Sequence, residues 1–193
     1  ITPSSAEDFT ISATLSTPYA DSRTISVIST DFIRDPNGNL ISDGTLVNFN
    51  FMQGDHLISL YRAPIIGGVA RLYFEHPDRP MELDVVAHIA NRAKSSPIQL
   101  KFDPFIREIN ASYNKEKRII QVGPLKGILN QYLPDGFKVT FHIKGNDSNN
   151  WKYGMLENGK YELQMSEVLY TPGSYEVNIY VGDQSIPLNI DWK

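Results

Sequence analysis

The sequence contains no cysteine. Disulfides, thiolate zinc sites and a cysteine nucleophile are excluded together, and a chain of 193 residues can bury a core without such staples. No apolar run approaches the roughly 20 residues that cross a bilayer as a helix, so no direct membrane insertion is expected of this stretch. Positive charge is also sparse: 18 Lys and Arg stand against 22 Asp and Glu, for a net charge of −4. Nucleic-acid partners leave a basic patch or stripe in the sequence. None is present, and no DNA or RNA partner is expected.

Catalytic signatures are missing as well. There is no Gly-x-Ser-x-Gly elbow, and Gly123-Pro124-Leu125-Lys126-Gly127 lacks the Gly-Lys-Ser/Thr end of a phosphate loop. His56, His76, His88 and His142 are scattered, with no His-x-His or His-Glu-x-x-His spacing to converge on a metal. Asp35-x-Asn37-x-Asn39 is rich in side-chain oxygen but lacks the Gly and bidentate Glu spacing of a calcium loop, so it reads as a turn. No motif places Glu162 or Glu167, and carboxylates on strand positions read as a solvated face. The expectation is a non-enzyme with no catalytic residue, no cofactor and no metal site.

What the chain does have is one β pattern written twice. In Asp43-Gly44-Thr45-Leu46-Val47-Asn48-Phe49-Asn50-Phe51 an Asp-Gly turn feeds a run whose apolar residues fall on alternate positions. Asp135-Gly136-Phe137-Lys138-Val139-Thr140-Phe141-His142-Ile143 repeats it. Period-two alternation lays Val47, Phe49 and Phe51, and again Val139, Phe141 and Ile143, on one face of a strand.

Around these runs the chain is punctuated as short strands. Phe9, Ile11, Ala13 and Leu15 alternate as a first strand, after a Ser/Pro-rich lead-in over 1–7. Thr24 to Ile33 is ambiguous, with Ile25 and Val27 on one face and Ile28, Thr30 and Phe32 on the other; a bulge or bend would reconcile them. Leu57 to Tyr61 reads as a short strand, and Val69 to Phe74, Leu83-x-Val85-x-Ala87 and Pro97 to Phe102 follow. Strands this short and regularly spaced predict a sandwich, not βαβ units.

The downstream strands recur in order at nearly constant spacing. Gly68-x-Ala70-x-Leu72 corresponds to Gly159-x-Tyr161-x-Leu163, Leu83-x-Val85-x-Ala87 to Tyr175-x-Val177-x-Ile179, and Pro97–Phe102 to Pro187–Trp192. Upstream, Arg23-x-Ile25-x-Val27 matches Arg118-x-Ile120-x-Val122 at a slightly longer spacing, which implies a deletion of about three residues in the turn holding Asn37-Gly38. The predicted fold is all-β: two tandem Ig-like β-sandwich domains, 1–103 and 104–193, with the boundary at Asp103-Pro104. Tyr175, two residues after Gly173, is placed to be a tyrosine corner.

Residues 24–87 resemble the bacterial immunoglobulin-like domains of the invasin and intimin group. The resemblance rests on Asp35-Pro36-Asn37-Gly38-Asn39, Leu40-Ile41, Asp43-Gly44-Thr45-Leu46-Val47-Asn48-Phe49 and Gly68-Val69-Ala70-Arg71-Leu72. The second unit lacks the Asp-x-x-Gly-Asn turn and is generically Ig-like, and macroglobulin-type β domains share a similar Asp-Gly strand. The resemblance implies an exported bacterial module, extracellular, at the cell surface or periplasmic. It would act as a structural spacer or an adhesion and protein-binding module with a protein or surface glycan as partner. The other reading is an assembly component of an envelope machine, such as a secretion or conjugation apparatus, or of a phage particle. The chain opens at Ile1 without an initiator Met or signal segment, and reads as a piece of a longer multidomain chain. If it binds a partner, the expected place is the polar run Gly145 to Asn150 with the aromatics that follow: Asn149, Asn150, Trp151 and Tyr153.

Overall fold

The computed structural model describes residues 8–90, 93–145, 148–165 and 171–192. The expected lead-in over 1–7 lies outside them. The chain divides into two compact units, Ile1–Asp103 and Pro104–Lys193, and no helix occurs among the described residues.

The first unit runs β1 (Ile11–Thr14), β2 (Ile25–Thr30), β3 (Leu46–Gln53), β4 (His56–Ile66), β5 (Val69–Glu75), β6 (Met81–Ile89), β7 (Ala93–Lys94) and β8 (Ile98–Phe102). One layer is β1-β2-β5; the other is β4-β3-β6, with β7 and β8 both paired to β6. β4 pairs with β3 along its length but meets β5 only at Ile65↔Ala70 and Ile66↔Val69. The second unit runs β9 (Ile106–Glu108), β10 (Ala111–Asn114), β11 (Ile119–Val122), β12 (Lys126–Gly127), β13 (Lys138–Gly145), β14 (Ser148–Met155), β15 (Tyr161–Gln164), β16 (Gly173–Val181) and β17 (Gln184–Trp192). Its layers are β10-β11-β15 and β14-β13-β16-β17, with a short β9-β12 pair beside them. Both units are Ig-like sandwiches.

The paired Asp-Gly runs are the centre of each core. Val47, Phe49, Val139, Phe141 and Ile143 are fully buried, with Phe51 nearly so. Burying a side chain of this size contributes ~1.5–3 kcal/mol. The turns that start these strands put Gly44 and Gly136 at φ +83° and +82°, a region open to glycine at no steric cost. Asp43 and Asp135 then do the same job. Asp43 Oδ1 accepts the backbone N–H of Gly67, and Asp135 Oδ1 that of Asn158. Tyr175 is buried and its hydroxyl donates to the Thr171 carbonyl at 2.6 Å, the geometry of a tyrosine corner.

Two expectations need correction. The ambiguous segment holds one regular strand over Ile25–Thr30, without a bulge and in continuous register with both β1 and β5; Asp31 to Ile33 follow outside it, where exposed Phe32 precedes buried Ile33. Ser26, Ile28 and Thr30 face inward, while Ile25 and Phe32 are exposed. The hydroxyls are tolerated inside because each is bonded: Ser26 to His76, and Thr30 Oγ1 as acceptor for the N–H of Ala70. Leu57–Tyr61 likewise belongs to a much longer strand, β4.

The upstream alignment was also out of register. Ile28 pairs with Leu72, and Ile120 pairs with Leu163, so Ile120 is the counterpart of Ile28, not of Ile25. A slip of three, being odd, had put exposed Ile25 on buried Ile120. With this register the inferred deletion disappears. Nor is the Asn37-Gly38 turn lost from the second unit: Asp35 N–H bonds Asn39 O and Gly38 N–H bonds Asp35 O, while Gly127 N–H bonds Gln131 O and Asn130 N–H bonds Gly127 O. Asn130, at φ +63°, takes the place of Gly38 at +82°.

Candidate functional site

Alternation on β13 sends Val139, Phe141 and Ile143 into the core, which leaves Lys138, Thr140, His142 and Lys144 on the outer face of the sheet. The hairpin with β14 sets Tyr153 opposite Thr140, Trp151 opposite His142 and Asn149 opposite Lys144. From the other side β16 sets Tyr180 opposite Thr140 and Asn178 opposite His142. An aromatic patch forms across three strands.

Its geometry is specific. The Trp151 and His142 rings lie parallel, 3° apart in plane with centroids at 4.1 Å, and Tyr180 lies 6.0 Å from Trp151 at 26°. His142 Nε2 and Asn149 Oδ1 are 2.6 Å apart; the amide oxygen accepts, so Nε2 carries the hydrogen. Lys138 Nζ sits 4.5 Å above the Tyr153 ring, a cation–π contact worth ~0.5–1 kcal/mol at an exposed site. Trp151 is nevertheless 50% exposed and Tyr153 60%. The indole is held flat and still presents surface to solvent.

Of the residues expected at a partner site, Asn149, Trp151 and Tyr153 share this face. Asn150 does not, because it pairs with Ile143 and belongs to the opposite face of the strand. The expected polar loop is mostly strand: Gly145 ends β13 and Ser148 begins β14, while Asn146 and Asp147 lie outside the described residues. The region does not depart from the repeat either, since β14 stands on β13 as β4 stands on β3. Sequence reasoning left out Tyr180, although inward Tyr175, Val177 and Ile179 imply by alternation that it points outward.

A second constellation was not legible at all. In the first unit Ser26 Oγ lies 2.7 Å from His76 Nε2, and His76 Nδ1 lies 2.7 Å from the Tyr19 carbonyl. A carbonyl can only accept, so Nδ1 carries the hydrogen and Nε2 accepts a hydrogen bond from the Ser26 hydroxyl. Ser26 Oγ also accepts the N–H of Ser16. This is the connectivity of a serine nucleophile and its base, but Ser26 is 2% and His76 3% exposed. The hydroxyl is spent on closing a buried network. Nearby, burial works to raise the Asp21 carboxyl, and the Thr24 hydroxyl and the N–H groups of Thr24 and Arg23 outweigh it, leaving its pKa lowered. Among the described residues no group of three or more His, Cys, Asp or Glu is placed to hold a metal ion. Glu167 lies outside them.

No family model and no curated protein matches the chain. Solved structures do. The chain is similar to the D0-D1 domain of intimin, at 19% identity over 94% of this chain and 96% of that one, with a TM-score of 0.37. It is similar to the Yersinia pseudotuberculosis adhesin InvE, at 12% identity over 96% of this chain and 60% of that one, with a TM-score of 0.45. A third is invasin, a bacterial integrin-binding protein, at 16% identity over 95% of this chain and 39% of that one, with a TM-score of 0.44.

Proposed function

We propose that the chain is a non-enzymatic adhesion or spacer module of an exported bacterial protein, and that it engages a protein or a surface glycan through the outer face of β14-β13-β16. The observation that carries this reading is the half-exposed Trp151 held parallel to His142. A large side chain that is already ordered loses little entropy on binding, and tryptophan and tyrosine are enriched among residues that dominate interfaces. The non-enzymatic part rests on the missing motifs and on the Ser26–His76 pair being committed to the core. The extracellular, cell-surface or periplasmic setting rests on the resemblance of 24–87, with the absence of cysteine consistent with it.

The test is adhesion of the purified chain to immobilised host-cell surfaces. Trp151→Ala with Tyr153→Ala is expected to reduce binding at least about tenfold, the effect of losing a hot-spot pair. Wild-type binding that the double variant leaves intact overturns the assignment of this face.

A further inference from the structure

The first unit is open along one side. β4 and β5 leave their shared hairpin at Ile65↔Ala70 and diverge into opposite layers. From there His56 to Ala63 pair only with β3, and Arg71 to Glu75 only with β2. Between the two edges lies a cleft of about 670 Å³, floored by Phe51, Phe74 and Phe102 and walled by Tyr61 and Met81. Its size is in the range of ligand clefts, and Gln53, Ser59, Glu75 and His76 share the lining with the aromatic floor.

An unpaired strand edge offers a row of N–H and C=O groups to any extended chain, and proteins normally blunt it. The edges of the four-stranded sheet of the second unit are blunted: β17 carries Pro187, and β14 carries Lys152 on its core face opposite Phe141. On β4, Leu57, Ile58, Leu60 and Tyr61 are instead all apolar and 54%, 47%, 46% and 38% exposed. The rim adds a charge. Asp78 is paired with Arg79 at 3.4 Å, and Glu75 has no ion pair among the described residues.

We propose that this cleft is a strand-acceptor site for an extended segment of a protein partner in which apolar residues alternate with basic or polar ones. The segment pairs with the β4 edge, sets its apolar side chains over Phe51 and Phe74, and places a cation near Glu75. An apolar small molecule would use the floor but not the amide edge; a strand uses both. The site is separate from the aromatic face of the second unit and does not depend on it.

The probe is a synthetic peptide alternating Val or Phe with Lys and Thr, titrated into the whole chain. Expected are a dissociation constant below about 1 mM, slowed amide exchange confined to 57–62, and at least about tenfold weaker binding after N-methylation of alternate peptide amides. Ser59→Phe, which fills the mouth beside Phe51, and the exposed Glu75→Lys should each weaken binding while melting like the parent. The proposal is overturned by no binding, by equal binding of a peptide with the same composition but no alternation, or by indifference to N-methylation, which would mark an apolar pocket alone.

Discussion

Asp43 Oδ1 accepts the backbone N–H of Gly67 at 2.8 Å, tying the turn that starts β3 to the turn that ends β4. Asp135 and Asn158 make the same tie at 2.6 Å. The surrounding ladder also recurs: Gly44 N–H bonds Ile65 O as Gly136 N–H bonds Leu156 O, and Ile33 N–H bonds Gly68 O as Leu125 N–H bonds Gly159 O. Each aspartate therefore holds a hairpin closed at a solvent-exposed position. Asp43→Ala and Asp135→Ala are each expected to cost about 1 kcal/mol, below the usual value for a hydrogen bond to a charged acceptor because of that exposure. Urea unfolding measures it, and a cost in one unit with none in the other would break the equivalence.

Phe49→Ala and Phe141→Ala should each cost ~3–5 kcal/mol through the cavity left behind. Both rings are fully buried at matching positions of β3 and β13. Denaturant melts check this, and a loss under about 1 kcal/mol in either would contradict the packing.

The two cores balance volume differently at one contact. Ala63 and Ala70 are small and buried in the first unit, whereas the second has Gly154 and Tyr161 in the corresponding places. A Cβ on Gly154 would run into the Tyr161 ring, which itself lies 5.7 Å from Phe141. Gly154→Ala is expected to destabilise the second unit by ~1–3 kcal/mol, the usual effect of overpacking, and Gly154→Ala with Tyr161→Ala to lose less than the sum of the single changes. Additive losses in thermal melts would mean the two residues do not share space.

Asp35 gives a pH dependence of defined sign. The backbone N–H of Asn39 leads the groups that hold its carboxyl below the ordinary 3.8, followed by burial acting the other way and then by further bonds from Asn39 and Asn37. The folded chain thus binds this proton less tightly than the unfolded one. Its stabilisation is complete above the ordinary value and disappears as the pH falls through the lower folded value. The melting temperature of Asp35→Ala should lie below that of the parent at pH 6 and converge with it towards pH 2; a constant gap would mean the loss is one of shape, not charge.

Trp151 can be observed alone in a Trp192→Phe background, since the chain has only 2 tryptophans. Its exposed indole should be quenched by acrylamide, yet its emission anisotropy should be high because His142 holds it flat. His142→Ala should lower the anisotropy while leaving quenching intact. A blue-shifted, quencher-protected Trp151 would place the indole inside and remove the candidate face.

The sequence alone determined the strands whose pattern is local. Val47-x-Phe49-x-Phe51 and Val139-x-Phe141-x-Ile143 could only bury one face, and the Asp-Gly pairs before them could only be turns, because alternation and positive φ are properties of adjacent residues. Which residues oppose one another was decided by tertiary structure. Ser26 and Thr30 turn inward because their partners, His76 and the N–H of Ala70, arrive from β5 and its end, far along the chain. The same holds for the candidate face: alternation separates Asn149 from Asn150, but pairing with Lys144 and Ile143 decides that Asn149 takes the outer face and Asn150 the core side. Trp151 meets His142 and Tyr180 because β13 lies between β14 and β16. Strand order across a sheet depends on long-range burial, which no short-range pattern encodes.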